Sequence, residues 1–112
     1  MTPASDLHIS EHAFQRGRER LGLNRKATER MACRAFAAGL RHEDTFGALR
    51  QYLGMVASTR GTADNLRVHG EAVWVFCSHT LVTVLQLPHE LRKAAHATRR
   101  AQRSAVAEVA AP

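Results

Sequence analysis

Asn65-Leu66-Arg67-Val68-His69-Gly70-Glu71-Ala72-Val73-Trp74-Val75-Phe76-Cys77-Ser78-His79-Thr80-Leu81-Val82-Thr83-Val84-Leu85-Gln86-Leu87 is the stretch that decides the fold. Residues 65–69 alternate polar and apolar, the period of a strand with one buried face. Gly70-Glu71 and Ser78-His79 are tight turns, and the runs they join (72–77 and 80–87) are rich in β-branched and aromatic residues. Three strands joined this way form an antiparallel meander, with 65–69 at its edge. The two later strands are apolar on both faces, so helices are expected to cover at least one of them.

Upstream the apolar period changes to that of a helix. Ser10 is a good N-cap for a helix running to about Leu21 and ended by Gly22. Asn24 caps a second helix, with Ala27, Met31, Ala35 and Ala38 at helical spacing and Gly39 at its close. Asp44 is placed to cap a third, in which Phe46, Leu49, Leu53 and Val56 form the inward stripe; Ser58 to Asp64 is then a polar loop. Leu7 to Ile9 is a short β-like entry, and Pro88 opens a fourth helix through Leu91 and beyond. The fold class expected is α+β: N-terminal helices packed on a three-stranded antiparallel meander, with a C-terminal helix. Residues 1–6 read as a disordered N-terminus, 7–93 as a single α+β domain, and 94–112 as a basic, alanine-rich tail of helix-forming composition.

The chain has 112 residues, room for one small core, and 45% of them are apolar, which argues against wholesale disorder. Its formal charge of +6 favours polyanionic partners. Part of that surplus lies late in the chain, at Arg92, Lys93, Arg99, Arg100 and Arg103. No signal-peptide pattern and no membrane-length apolar run is present, so the chain reads as soluble and cytoplasmic, with no membrane partner. Cys33 and Cys77 have no CxxC neighbour and read as buried free thiols. His8 and His12 are the only close histidine pair and lack a third ligand at zinc-like spacing, so no metal and no cofactor is expected. Walker, GxGxxG, GxSxG and zinc-deaminase signatures are all absent.

The candidate chemistry sits on the first helix, where His12, Arg16 and Arg20 follow one another at four-residue intervals and share one stripe. RNA cleavage without a metal needs a group to take the 2′-hydroxyl proton and cations to steady the anionic phosphorus. An imidazole titrating near pH ~6.5 suits the first task. Guanidinium groups, which fork onto phosphate oxygens, suit the second. His12, Arg16, Arg20, Arg67 and His69 are therefore the candidate catalytic set, the last two if their strand face meets the first helix. Arg16, Arg18, Arg20, Arg92 and Lys93 are the candidate nucleic-acid contacts. Thr83 and the lone phenol, Tyr52, are further polar groups within reach of such a site. Each has a plain structural reading too: His12 as a capping residue, Arg16 and Arg20 as partners of Glu19 or Asp44, Arg67 and His69 as the outer face of a strand, Trp74 and Phe76 as core.

The pattern His12-Ala13-x-x-Arg16-x-x-x-Arg20-x-Gly22, followed by a second helix, the meander and Leu81-Val82-Thr83-Val84, resembles the BrnT-like branch of the RelE/ParE toxin superfamily. It is similar also to small uncharacterised bacterial and phage proteins with the same His-Ala…Arg…Arg-Gly start. The resemblance spans Leu7 to Pro88. It implies a RelE-like fold and a basic, metal-independent endoribonuclease acting on RNA, commonly paired with an antitoxin; some members have lost activity or act on other targets. Two features depart from it: the third helix is an insertion relative to the shortest members, and the last strand lacks the Tyr- or Arg-rich ending of several active relatives. The first functional expectation is thus a toxin-type ribonuclease with RNA and an antitoxin or other protein as partners. The alternatives are a non-catalytic binder, of phage type, that docks on nucleic acid or on an enzyme handling it, and a plain protein–protein module.

Overall fold

The computed structural model describes residues 7–61 and 63–110, with side chains described as far as Arg103. The disorder expected for residues 1–6 lies outside the described residues. In chain order the elements are β1 (His8–Ile9), α1 (Glu11–Leu21), α2 (Arg25–Ala38), β2 (Leu40–Arg41), a 3₁₀ turn (His42–Asp44), α3 (Gly47–Thr59), β3 (Asn65–His69), β4 (Ala72–Cys77), β5 (Thr80–Gln86) and α4 (His89–Ala110). The fold is a mixed α and β architecture. Its meander, β3-β4-β5, is there, but it is the centre of a five-stranded sheet ordered β1-β5-β4-β3-β2. β1 runs parallel to β5, with His8 opposite Thr80, and β2 runs antiparallel to β3, with Leu40 opposite Val68. β3 is therefore not an edge strand, and the three-stranded sheet expected from sequence is corrected to five. Two-residue strands carry no periodicity to read.

Local chemistry sets the helix ends. The Ser10 hydroxyl accepts from the Ala13 N–H at 3.0 Å. Gly22, at φ 68°, closes α1 in the left-handed conformation while Leu23 N–H reaches back to the Gly17 carbonyl. Asn24 Oδ1 accepts from Ala27 N–H at 2.8 Å to start α2. The two helices touch closely at Gly17, where an added Cβ would lie 2.7 Å from Thr28 Oγ1. In the β3–β4 hairpin Gly70 and Glu71 both have positive φ, the geometry that matches a two-residue turn to strand twist.

α3 departs from expectation. The Asp44 carboxylate accepts from the Arg41 N–H and Nε at 3.1 and 3.3 Å, so it closes the 3₁₀ turn and does not cap α3. The helix starts after Phe46, which is 72% exposed and stands off the inward stripe of Leu49, Leu53 and Val56, and it ends at Thr59, inside the expected loop.

Both faces of the sheet are covered. On one, Ala13, Ala32 and Ala35 of α1 and α2 pack on Ala72, Trp74, Phe76, Leu81 and Val84. Alanines at these positions let the helices approach, which leaves room for Trp74; its indole N–H donates to the His69 carbonyl at 3.0 Å. On the other face Leu49, Leu53 and Val56 of α3 and Ala95 of α4 cover Leu66, Val68, Val73 and Val75. α4 continues without a break through Ala94, the boundary expected for a separate tail. Ala95 and Thr98 are buried, and Arg99 donates to the Ala38 carbonyl. The segment holds on through small side chains and one guanidinium, which a search for large apolar residues overlooks. Cys33 and Cys77 are free thiols, half-buried in both cases.

Candidate functional site

β1 pairs with only the first two residues of β5, so among the described residues the outer edge of β5 from Val82 onward has no strand partner. α1 lies along this edge and supplies side-chain donors. Ser10 Oγ donates to the Val82 carbonyl at 3.3 Å and Arg20 to the Val84 carbonyl at 3.0 Å. Between them Arg16 pairs with Glu19 at 2.6 Å and donates from Nε to His12 Nε2 at 3.4 Å. The predicted stripe is thus real as a helix face, with Arg20 sealing a strand edge and Arg16 tethered beside an exposed imidazole.

His12 stands at the mouth of a cleft of about 290 Å³, lined also by Arg60, Gly61, Ala63, Val75, Val82 and Thr83. A register shift between Val75 and Phe76 makes Val82 the extra residue of β5. Such a bulge re-aims neighbouring side chains. Thr83 is opposite Val75, on the face that α3 and α4 cover. Thr83 lines the cleft, and its hydroxyl, shielded from solvent, has no hydrogen-bond partner among the described residues. Leaving a buried hydroxyl unsatisfied costs about 1–3 kcal/mol, which makes Thr83 the anomaly of the site.

Arg60, at the C-terminal end of α3, forms no ion pair among the described residues. Tyr52 lies nearby on α3. Burial pushes its phenol up, and the Arg20 and Arg60 guanidinium groups pull it partly back, so both cations bear on the same oxygen. Sequence reading passed over Arg60 because it falls in the stretch taken as a polar loop. An arginine followed by glycine just before the meander was the available signal.

Arg67 and His69 do not join this site. β4 separates their strand from β5, and α1 packs on β5. The Arg67 guanidinium donates to the Gly39 carbonyl and to Asn65 Oδ1, both at 3.0 Å, which closes the end of α2. His69 faces Arg34 and Arg99; burial first, then these two charges, push its imidazole down. The two residues were expected to meet the first helix, and the strand order prevents it. Arg18 is exposed and lines the groove between α1 and α2, on the side where Arg25 pairs with Glu11 at 3.0 Å. Arg92 donates to the Leu87 carbonyl at 3.1 Å, and Lys93 is exposed on α4.

Among the described residues no three His, Cys, Asp or Glu side chains gather as metal ligands, and no helix is long and apolar enough to cross a membrane. The chain matches no protein-family model, and no curated protein or solved structure is similar enough to it to count as a match.

Proposed function

We propose that the cleft between α1 and the end of α3 binds a phosphodiester of RNA and cleaves it without a metal, as the resemblance to RelE- and BrnT-like toxins implies. The observation that carries the reading is the buried, unpartnered Thr83 hydroxyl on the wall of a cleft that also holds an imidazole and a guanidinium. A phosphate oxygen in the cleft meets Arg60, and a rotation of the Thr83 side chain on binding brings its hydroxyl to the same oxygen. His12 takes the proton of the ribose 2′-hydroxyl on Nε2, which Arg16 Nε gives up when RNA enters, and the 2′-oxygen then attacks phosphorus. Arg60 steadies the charge that builds on the non-bridging oxygens, and solvent water supplies the proton to the leaving 5′-oxygen. Arg16 positions His12, and Arg20 holds the helix on β5.

One observation favours the non-catalytic alternative, a protein that docks on nucleic acid or on an enzyme handling it: Arg100 and Arg103 of α4, away from His12, pair with no carboxylate among the described residues. Incubating the purified chain with total RNA in EDTA decides between the two. Cleavage with 2′,3′-cyclic phosphate ends, lost by about 10²–10⁴-fold in His12→Ala, supports the catalytic reading. RNA retained intact by a folded wild-type chain rejects it.

A further inference from the structure

On the opposite flank of the sheet a second cleft, of about 230 Å³, lies between the β3–β4 hairpin and α4. Leu40, Val68 and Ala95 give it an apolar floor. Its rim is almost wholly cationic or imidazole: His69 and His96, with the adjacent Arg99 and Arg100 of α4 and Arg103 about one turn on. Glu71 is the one carboxylate in the lining, and it is already occupied, by His96 Nε2 at 2.9 Å and by Arg92 at 3.7 Å. Arg99 directs one nitrogen at the Ala38 carbonyl and keeps its remaining donors. Arg100 and Arg103 pair with no carboxylate among the described residues. Arg34 of α2 adds its charge at His69 from the other side.

This arrangement has more donors than acceptors, over a floor that excludes water. A neutral ligand leaves the repulsion among its arginines in place; an anion removes it. The basic positions also continue along α4 from Arg92 and Lys93 to Arg103, a length of about 16 Å at the rise of a helix. A row of that length suits a chain of phosphates better than one small anion. We infer that the cleft between the β3–β4 hairpin and α4 is a second phosphate-binding site, which holds the backbone of an RNA strand away from the His12 cleft. The identity of the strand rests on the function proposed above; the site itself does not.

The test uses the full chain and a fluorescein-labelled 2′-O-methyl oligoribonucleotide, which has no 2′-hydroxyl to react, so binding is read apart from cleavage. Arg100→Glu with Arg103→Glu is expected to weaken binding by about tenfold or more and to make the salt dependence shallower by about two phosphate contacts. The His69 imidazole, followed by NMR, is expected to titrate at higher pH in inorganic phosphate than in chloride of equal ionic strength. Unchanged affinity in the double variant overturns the inference, as does a His69 titration identical in the two salts. Competition by poly-glutamate as effective as by the oligonucleotide also overturns it, since that is charge attraction without a phosphate site. Failure of the cleavage proposal shows separately, as intact unmodified RNA in EDTA.

Discussion

At the β5 flank, side chains of α1 complete an open strand edge: Ser10 and Arg20 satisfy the Val82 and Val84 carbonyls, and Arg16 is tied to Glu19. At the β3 flank, Arg67 and Arg99 close the end of α2 by taking the Gly39 and Ala38 carbonyls. Both flanks use arginine to satisfy backbone that secondary structure leaves unpaired. They differ in what is left over. Beside β5 there remain an exposed imidazole and a buried hydroxyl lacking a partner; beside β3 there remains a surplus of guanidinium groups around a half-buried imidazole. The first joins its imidazole to a single guanidinium, Arg60, while the second surrounds its imidazoles with three. Positive charge alone, which both flanks share, does not distinguish them.

The largest expected effect separates the flanks by chemistry. His12→Ala removes cleavage, whereas Arg100→Ala with Arg103→Ala lowers affinity and leaves the rate at saturating RNA unchanged; single-turnover kinetics checks both. Next in size is Arg67→Met, which leaves the Gly39 carbonyl without its donor. It is expected to lower stability by about 1–3 kcal/mol in urea titration while the protein still cleaves at the wild-type rate. Loss of cleavage in a folded Arg67→Met chain would break the separation of the flanks. Gly17→Ala drives a methyl group into Thr28 where α1 meets α2. The expected loss is about 1–3 kcal/mol, smaller in a Thr28→Ala background, and thermal denaturation of both variants measures it.

The smallest effect is on pH dependence. Burial and the charges of Arg99 and Arg34 hold the His69 imidazole below its ordinary value of 6.5 in the folded chain. Between that value and the lower folded one the unfolded chain binds the extra proton, so stability falls as pH drops through this window. His69→Gln is expected to flatten the slope there. Glu71 acts later in the same direction: His96 holds its carboxyl below the ordinary 4.5, so the stability it contributes is present above that value and is lost as pH falls through the depressed one.

What could be read from sequence was local. Ser10 with Gly22 and Asn24 with Gly39 bound their helices because capping is decided within a few residues. The two turns of the meander were legible for the same reason. β1 was legible as a short β-like entry, but its pairing with β5, and β2 altogether, were not, since each pairs with residues far along the chain and has only two residues to show for it. The start of α3 was misread because Arg41 competes for the Asp44 carboxylate, a choice that spacing cannot reveal. The packing of α4 beyond Ala94 was not legible, because its buried residues there, Ala95 and Thr98, are small. In the candidate site the stripe of His12, Arg16 and Arg20 followed from helical pitch. Arg60 and the anomaly at Thr83 did not, because they depend on where α3 ends and on a shift in the register of β4 and β5.

The account turns on Thr83. If its hydroxyl is kept for a ligand, replacing it with a methyl group of the same shape removes an unsatisfied buried group and should help the fold. The direct measurement is the melting temperature and the cleavage of RNA in EDTA for Thr83→Val beside wild type. The account predicts a stabilisation of about 1–3 kcal/mol together with weaker cleavage. A less stable variant, or one that cleaves as well as wild type, would contradict it.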